Sequence, residues 1–368
     1  MLTPGYATSA GTDRFRRRFA SQYPGHFREF QGYWISSIGI GTYLGEPTAA
    51  FDALYCDAVA GALESGINVI DTAVNYRYQR SERAIAQALV AVTSSGKAQR
   101  DEVVIATKGG FLTFDGDEPE DPSEYFQRTL IDPGILRPEE VVADCHAISP
   151  KYLENQIDVS RQNLGIGTLD IYYLHNPETQ AANVSRGEFE RRMRAAFAVL
   201  EKAVAEGKIR IYGTATWNAY RVGQESSEAL SLTDLLRMAE EVGGKDHHFR
   251  AIQLPYNLAM PEALSARTQR ANGQSIPVLQ VARSHGMLVF ASASLLQQKL
   301  TVDLPENTHT WLPGLRTDAQ RAIQFVRSTP GVACALVGMS RREHVLENLN
   351  TAKTPPLNLE QFRAIFNQ

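Results

Sequence analysis

The sequence predicts an α/β fold of the (β/α)8 TIM-barrel type, a single domain preceded by an N-terminal arm. Three observations predict it. Short β-branched apolar runs alternate with segments of helical apolar spacing, eight of each in strict order, from Trp34 to Asn350. Parallel strands joined by helices over this length favour a closed barrel. Several runs end in an ionisable residue (Asp71, Lys108, His175), as expected where buried strands deliver their last side chains to a rim. The alternative, a doubly wound sheet, lacks its Gly-x-Gly-x-x-Gly turn where the first helix opens.

Residues 1–30 are polar and carry the basic residues Arg14, Arg16, Arg17 and Arg18; they predict an irregular arm lying on the surface. Residues 31–368 supply the barrel. The first strand is expected near Trp34–Gly39, running into the glycine-rich turn Gly39–Gly45, where bare backbone admits close approach. The first helix spans Phe51–Ser65, with Leu54, Val59 and Leu63 at helical spacing and Gly66 as C-cap. Strand Asn68–Ile70, helix Ser81–Val92 and strand Val103–Thr107 follow. Helix Pro150–Asn163 has Ser149 as N-cap, Pro150 at its first position and Gly165 at its exit. The remaining pairs are strand Leu169–Leu174 with helix Phe189–Ala205, Ile209–Thr214 with Ser231–Val242, Ala251–Leu254 with Val278–His285, Met287–Ala291 with Asp318–Ser328, and Cys334–Val337 with Arg342–Asn350. Residues 109–148 break the rhythm between the third strand and third helix. They are acidic and proline-rich over Asp115–Pro122. A long loop there overhangs the rim and reads as a lid or specificity loop rather than a linker.

The 368 residues are 43% hydrophobic and 21% charged, an ordinary globular composition. A net charge of −4 argues against a nucleic-acid or anionic-membrane partner. Cys56, Cys145 and Cys334 are scattered without CxxC spacing, which predicts free thiols in a reducing compartment and no metal site. No apolar segment follows the arginines, so no signal peptide is expected. No apolar run reaches the roughly 18 residues of a membrane span. A cytoplasmic location is expected; the sequence does not disclose the oligomeric state.

Four groups carry the chemistry. Asp71 ends the second strand, Lys108 the third and His175 the fourth, while Tyr76 lies in the loop after the second. Each alone has a plain structural reading: a helix cap, a strand-end charge, a core histidine, a surface aromatic. Together at matching strand ends they point to a proton donor. A phenol has a pKa of about 10. A neighbouring ammonium is expected to pull it down by favouring the phenolate, and a carboxylate would hold that ammonium in place.

The motifs Gly66-x-Asn68-x-x-Asp71-Thr72-Ala73-x-x-Tyr76, Ser81-Glu82, Ala106-Thr107-Lys108 and Leu174-His175-Asn176-Pro177 resemble the aldo-keto reductase superfamily, over roughly Trp34 to Asn350. The resemblance implies a catalytic tetrad of Asp71, Tyr76, Lys108 and His175. Tyr76 would be general acid for carbonyl reduction and general base for alcohol oxidation. Lys108, paired with Asp71, would lower its pKa, and His175 would orient the carbonyl. A nicotinamide would supply the hydride.

The resemblance also implies cofactor contacts along the rim. Gly41, Thr42 and Tyr43 would pass under the nicotinamide end, with Asp71 and Asn176 beside them. Thr216 and Gln253, with Asn218 as a further candidate, would bind the carboxamide. Gly213–Trp217 is similar to the form in potassium-channel β subunits, although Ala215 lacks the hydroxyl; Ser292 stands near where many members stack an aromatic ring. Ser294, Leu295 and Gln297 would wrap the pyrophosphate. Gly338, Ser340, Arg341, Arg342, Glu347 and Asn348 resemble the adenosine-phosphate clamp, with His344 where many members have arginine. Because guanidinium binds phosphate bidentately, the implied cofactor is NADP(H) ahead of NAD(H). The expected activity is NADP(H)-dependent reduction of an aldehyde, ketone or sugar carbonyl, a small-molecule substrate. Two alternatives are a sugar or alcohol dehydrogenase, or a cofactor-retaining enzyme with a net non-redox step, motivated by the 109–148 loop. A third is a redox-sensing regulatory subunit, motivated by the strand end at Trp217.

Overall fold

The computed structural model describes residues 2–271 and 273–366. Eight parallel strands close into a barrel: β1 Ile38–Gly41, β2 Val69–Asp71, β3 Val104–Gly109, β4 Leu169–His175, β5 Ile209–Ala215, β6 Phe249–Pro255, β7 Leu288–Ser292 and β8 Cys334–Gly338. The helices that follow them are α1 Ala49–Ser65, α2 Arg80–Ser94, α3 Pro150–Leu164, α4 Arg186–Ala205, α5 Leu232–Gly243, α6 Val278–Ser284, α7 Asp318–Ser328 and α8 Arg342–Leu349. The ring closes where β8 pairs with β1, Leu336 opposite Gly39 and Gly338 opposite Gly41. Among the described residues no helix is long and apolar enough to cross a membrane.

Strand alternation decides what reaches the rim. Val69, Val104, Ala106, Ile171, Tyr173, Ala215, Ala251, Phe290 and Leu336 fill the barrel interior. Two residues further along the same parity come Asp71, Lys108, His175 and Gln253, so these side chains also point inward, at the top of the stack. The opposite parity (Ile70, Ile105, Tyr172, Ile252) packs outward against the helices. Gly39 belongs to the interior layer: a Cβ there would lie 2.8 Å from Leu336, 2.9 Å from Cys334 and 3.0 Å from Val69. Its bareness serves core packing, so only Gly41 of that strand is left to face the mouth.

The N-terminal segment departs from expectation. Ser9–Phe19 is a helix, not an irregular arm, and an antiparallel hairpin, Phe27–Phe30 with Tyr33–Ser36, follows it. The strand expected near Trp34–Gly39 is therefore two strands, one in the hairpin and one in the barrel. Phe15 is fully buried, and the helix's arginines pair with acidic groups: Arg14 with Asp101 and Glu102, Arg18 with Glu102, Arg16 and Arg17 with Asp13. The segment covers the N-terminal end of the barrel, where the Ala7 backbone N–H donates to Asp170 Oδ1 at 2.7 Å.

Residues 109–148 carry a helix, Pro122–Phe126, a wider helical turn at Gln127–Ile131 and a short 3-10 turn at Pro138–Glu140. Leu130, Leu136 and Ala147 form a small core of their own against Tyr152 of α3. The insertion leaves and rejoins the barrel at one neck: Ala147 N–H donates to Gly110 O at 2.8 Å and Leu112 N–H to Cys145 O at 2.7 Å.

Candidate active site

Lys108, fully buried, donates to both carboxylate oxygens of Asp71, at 2.9 and 2.8 Å, and to Thr72 O at 2.7 Å. Its fourth neighbour is the Tyr76 hydroxyl, at 3.3 Å. An ammonium has three protons for these four oxygens. The Tyr76 contact is the longest and the least committed. On the other side of Asp71, Gln253 Nε2 donates to Oδ1 at 2.7 Å. The carboxylate is thus held from two strands, and it fixes the lysine beneath the phenol. Tyr76 sits edge-on to His175, ring centres 5.9 Å apart, and to Tyr43 at 5.0 Å. Phe111, from the neck of the insertion, packs edge-on to His175 at 5.0 Å.

Tyr76 reaches this position on a strained turn. Arg77, Tyr78 and Gln79 have φ of 48°, 54° and 69°, the left-handed region that costs non-glycine residues roughly 1–2 kcal/mol each. Other contacts hold the turn in place. Arg77 donates to Ser81 Oγ at 3.1 Å and pairs with Asp52 at 2.7 Å, while Ser81 Oγ donates to Thr42 O at 2.9 Å. Glu82, fully buried, accepts from Thr107 Oγ1 at 2.6 Å and Asn163 Nδ2 at 2.9 Å. The Ser81-Glu82 motif anchors the loop rather than entering the site.

The protonation states follow from the surroundings. Tyr76 is pushed well above the usual phenol value by burial, by the Asp71 charge and by Tyr43. The lowering expected from Lys108 is therefore not found: burial and the Asp71 charge set the direction. Lys108 is itself lowered by burial, against the upward pull of Asp71. His175 lies well below its ordinary value because of burial, the Lys108 charge and His146. The site at neutral pH is therefore a phenol, an ion pair and a neutral imidazole.

These groups open on a cavity of about 480 Å³ at the C-terminal ends of the strands. Of the sequence-predicted residues, Gly41, Thr42, Tyr43, Asp71, Tyr76, His175, Asn176, Thr216, Gln253, Ser294, Leu295, Gln297 and Gly338 line it. Lys108 lies beneath. Thr216 Oγ1 is within 3.4 Å of Gln253 O, and Ser294 Oγ donates to Ala291 O at 3.2 Å. Asn218 turns away, its amide donating to Glu228 at 2.9 Å. Ser340, Arg341, Arg342, Glu347 and Asn348 do not line the cavity; they occupy the β8–α8 turn and α8. Arg342, expected to face a phosphate, instead pairs with Asp57 at 3.0 Å and Glu64 at 2.9 Å on α1. Arg341 is exposed, with Glu343 at 3.7 Å. The paired glycines Gly41 and Gly338 keep the rim free of side chains, and Asn75 Oδ1 is buried at the cavity without a partner. An open rim with polar groups on its floor fits the polar nicotinamide end of a dinucleotide.

Gln253, expected to meet a carboxamide, lines the cavity and also donates from Nε2 to Asp71. Sequence reasoning missed three contributors. Phe111 and His146 come from the irregular insertion, where no periodicity marks them. Glu178, buried, accepts from the backbone N–H groups of Trp217 at 2.6 Å and Asn218 at 3.1 Å, which fixes the loop after β5.

Residues 37–307 match the model of the Aldo/keto reductase family. The chain is 30% identical over 190 residues to the NADH-specific methylglyoxal reductase of Escherichia coli (strain K12), covering 50% of this chain and 49% of that one. It is 28% identical over 200 residues to the 6-dehydroglucose reductase of Novosphingobium aromaticivorans, covering 53% and 52%. The chain thus spans about half the length of these two relatives. Its fold resembles the crystal structure of an aldo/keto reductase from Klebsiella pneumoniae in complex with NADP and acetate, with a TM-score of 0.60, 21% identity, and 93% and 94% of the two chains covered.

Proposed function

The chain belongs to the aldo/keto reductase family, and from that premise we propose that it is an NADP(H)-dependent oxidoreductase reducing an aldehyde, ketone or sugar carbonyl to the alcohol. One observation carries the reading: a phenol, held 3.3 Å from an ammonium that a buried carboxylate locks in place, faces the same cavity as a neutral histidine.

The nicotinamide, when bound, supplies the hydride. The residues of the chain handle the oxygen. Tyr76 donates its proton to the carbonyl oxygen as negative charge develops there, and the Lys108 ammonium stabilises the phenolate left behind. His175, uncharged, orients the oxygen by a hydrogen bond without competing as an acid. Asp71 maintains the lysine's charge, and Gln253 maintains Asp71. Thr216 and the oxygen of the Gln253 amide are the groups for the carboxamide. Arg341 is the remaining basic group of the expected pair for a 2′-phosphate, since Arg342 is engaged by two carboxylates. The relatives' names, a methylglyoxal reductase and a 6-dehydroglucose reductase, support a small carbonyl substrate.

The test is oxidation of NADPH and of NADH with a panel of aldehydes, ketones and sugars, by the wild type and by Tyr76→Phe. Turnover is expected for the wild type, with NADPH preferred. Tyr76→Phe should lose roughly 10²–10⁴-fold in kcat while still binding NADPH, followed by its fluorescence. A Tyr76→Phe enzyme with undiminished kcat would remove the reading.

A further inference from the structure

The insertion's neck contains a fully buried histidine, His146, that none of the catalytic roles above uses. Its Nε2 lies 2.6 Å from the backbone carbonyl of His175, and its Nδ1 lies 2.9 Å from Gln180 Nε2. The polarity of this chain can be worked out from one end. Arg192 Nη1 meets Gln180 Oε1 at 2.7 Å. Guanidinium only donates, so that atom of Gln180 is the carbonyl oxygen and the other is the NH2. The NH2 donates to His146 Nδ1 and, at 3.1 Å, to His146 O. His146 Nδ1 is therefore the acceptor, and Nε2 must carry the hydrogen that meets the His175 carbonyl. The relay runs one way, from the guanidinium on α4 to the last residue of β4.

Two features indicate that the contact is built. Gly110, at φ 144°, stands beside it; a Cβ there would lie 2.8 Å from His146 Nε2 and 3.0 Å from His175 O. Only glycine leaves room. Phe111 packs edge-on against both rings, at 5.0 Å from each. The charged or titratable groups recorded against it are His175 and, through Gln180, Arg192. Burial lowers its pKa to about 4, so the neutral tautomer persists at working pH.

We propose that His146 is a positioning residue for His175: its Nε2–H clamps the His175 backbone carbonyl and so sets the angle at which the His175 imidazole meets the substrate oxygen. The insertion thereby couples to catalysis through one hydrogen bond at its neck. This rests on the reading of His175 as the group that orients the carbonyl.

Three variants test it. His146→Phe keeps the ring contact with Phe111 but removes the donor; kcat should fall roughly ten-fold or more, because His175 is no longer held at its angle to the substrate oxygen, with KM for NADPH unchanged. His146→Gln retains an N–H and should recover most of that loss. Gln180→Glu reverses the relay: its carboxylate, with one oxygen on Arg192, accepts from His146 Nδ1–H and leaves Nε2 without its hydrogen until His146 takes a second proton. Its kcat should rise as pH falls from 8 to 6, relative to wild type. Equal kcat for His146→Phe and wild type, equal losses in the Phe and Gln variants, or a Gln180→Glu pH profile parallel to wild type would each overturn the proposal. Side-chain ¹⁵N spectra of histidine-labelled protein read the tautomer without turnover. An Nδ1–H signal for His146 would refute the relay by itself, whereas a wild type inactive on every carbonyl with Nε2–H intact would refute the enzyme reading instead.

Discussion

Among the described residues the barrel carries two ion pairs with both partners buried, one at each end, and strand β3 contributes to both, through the Ile105 N–H at one and Lys108 at the other. At the N-terminal end, Arg100 donates to Asp170 at 2.7 Å, to Val103 O at 2.7 Å and to Thr168 O at 2.9 Å. Asp170 also accepts from the backbone N–H groups of Ala7 and Ile105, at 2.7 and 2.9 Å. At the C-terminal end, Lys108 and Asp71 are just as buried. Their surroundings differ: a phenol, a neutral histidine and a cavity stand above them. The first pair is met by backbone groups, with Arg100 Nε buried and unpartnered but outside the lining of the cavity; the second has one weakly committed contact facing a cavity, the contact that the proposed reading makes the chemistry. Burial of an ion pair therefore does not mark function. An incompletely satisfied neighbour at an open face does.

The largest effect should come from making the same lesion at both ends. Lys108→Met removes the ammonium beside Tyr76 and should cost roughly 10²–10⁴-fold in kcat. Arg100→Met strands Asp170 and should cost about 3–5 kcal/mol of stability, while kcat per folded molecule, counted by bound cofactor, stays at the wild-type value. Denaturant titration and steady-state kinetics on both variants check this. A kinetic defect of similar size in Arg100→Met would break the comparison.

Acid should act on both ends alike. His26, beneath the barrel between Ser37 Oγ and Gly66 O, both at 3.1 Å, has its pKa lowered to about 3, chiefly by burial, and His146 at the top to about 4. Both are neutral when folded, whereas unfolded histidine takes a proton near pH 6.5. As pH falls below 6.5 the unfolded chain binds protons that the native one refuses, so stability declines down to the folded values. The slope is about 1.4 kcal/mol per pH unit for each histidine. His26→Gln should flatten the decline between pH 6.5 and 4 by that amount in urea titrations. An unchanged slope would mean His26 is not buried in its neutral form.

How much of this was legible beforehand depended on periodicity. Asp71 and His175 end short apolar runs, and Lys108 comes one residue before such an end, so counting by two from the interior residues places each at the rim. The eight strand–helix pairs follow from the same counting, to within one to three residues at most ends. The helix Ser9–Phe19 was illegible because only Phe15 and Phe19 of its apolar face stand among four arginines, and the acids that pair with Arg14 and Arg18 lie near residue 101. Arg342 looked like a phosphate ligand because its partners, Asp57 and Glu64, sit on a helix almost the whole chain away. His146 lies in an irregular stretch, where only the folded neck shows what its two nitrogens face.

The smallest effect should come from the exposed ion pair that ties the insertion to the first turn of α2, next to the Tyr76 loop. Arg83 Nη2 meets Asp115 at 2.6 Å, both side chains half in solvent, and its Nε donates to Asn163 at 3.0 Å. The Tyr78 and Gln79 segment adds neighbouring contacts: Gly116 N–H donates to Tyr78 O at 2.9 Å and Gln79 Nε2 to Phe114 O at 3.0 Å. Exposed pairs contribute roughly 0–1 kcal/mol and weaken with salt, since the screening length is about 8 Å at physiological ionic strength. Arg83→Gln should therefore cost less than about 1 kcal/mol, and the difference from wild type should vanish at high salt. The backbone bonds remain, so the fold of the tip should survive. If the variant instead lost as much stability as Arg100→Met, and did so at every salt concentration, the rim would be as rigidly built as the base, and the contrast between a closed end and an open one would fail.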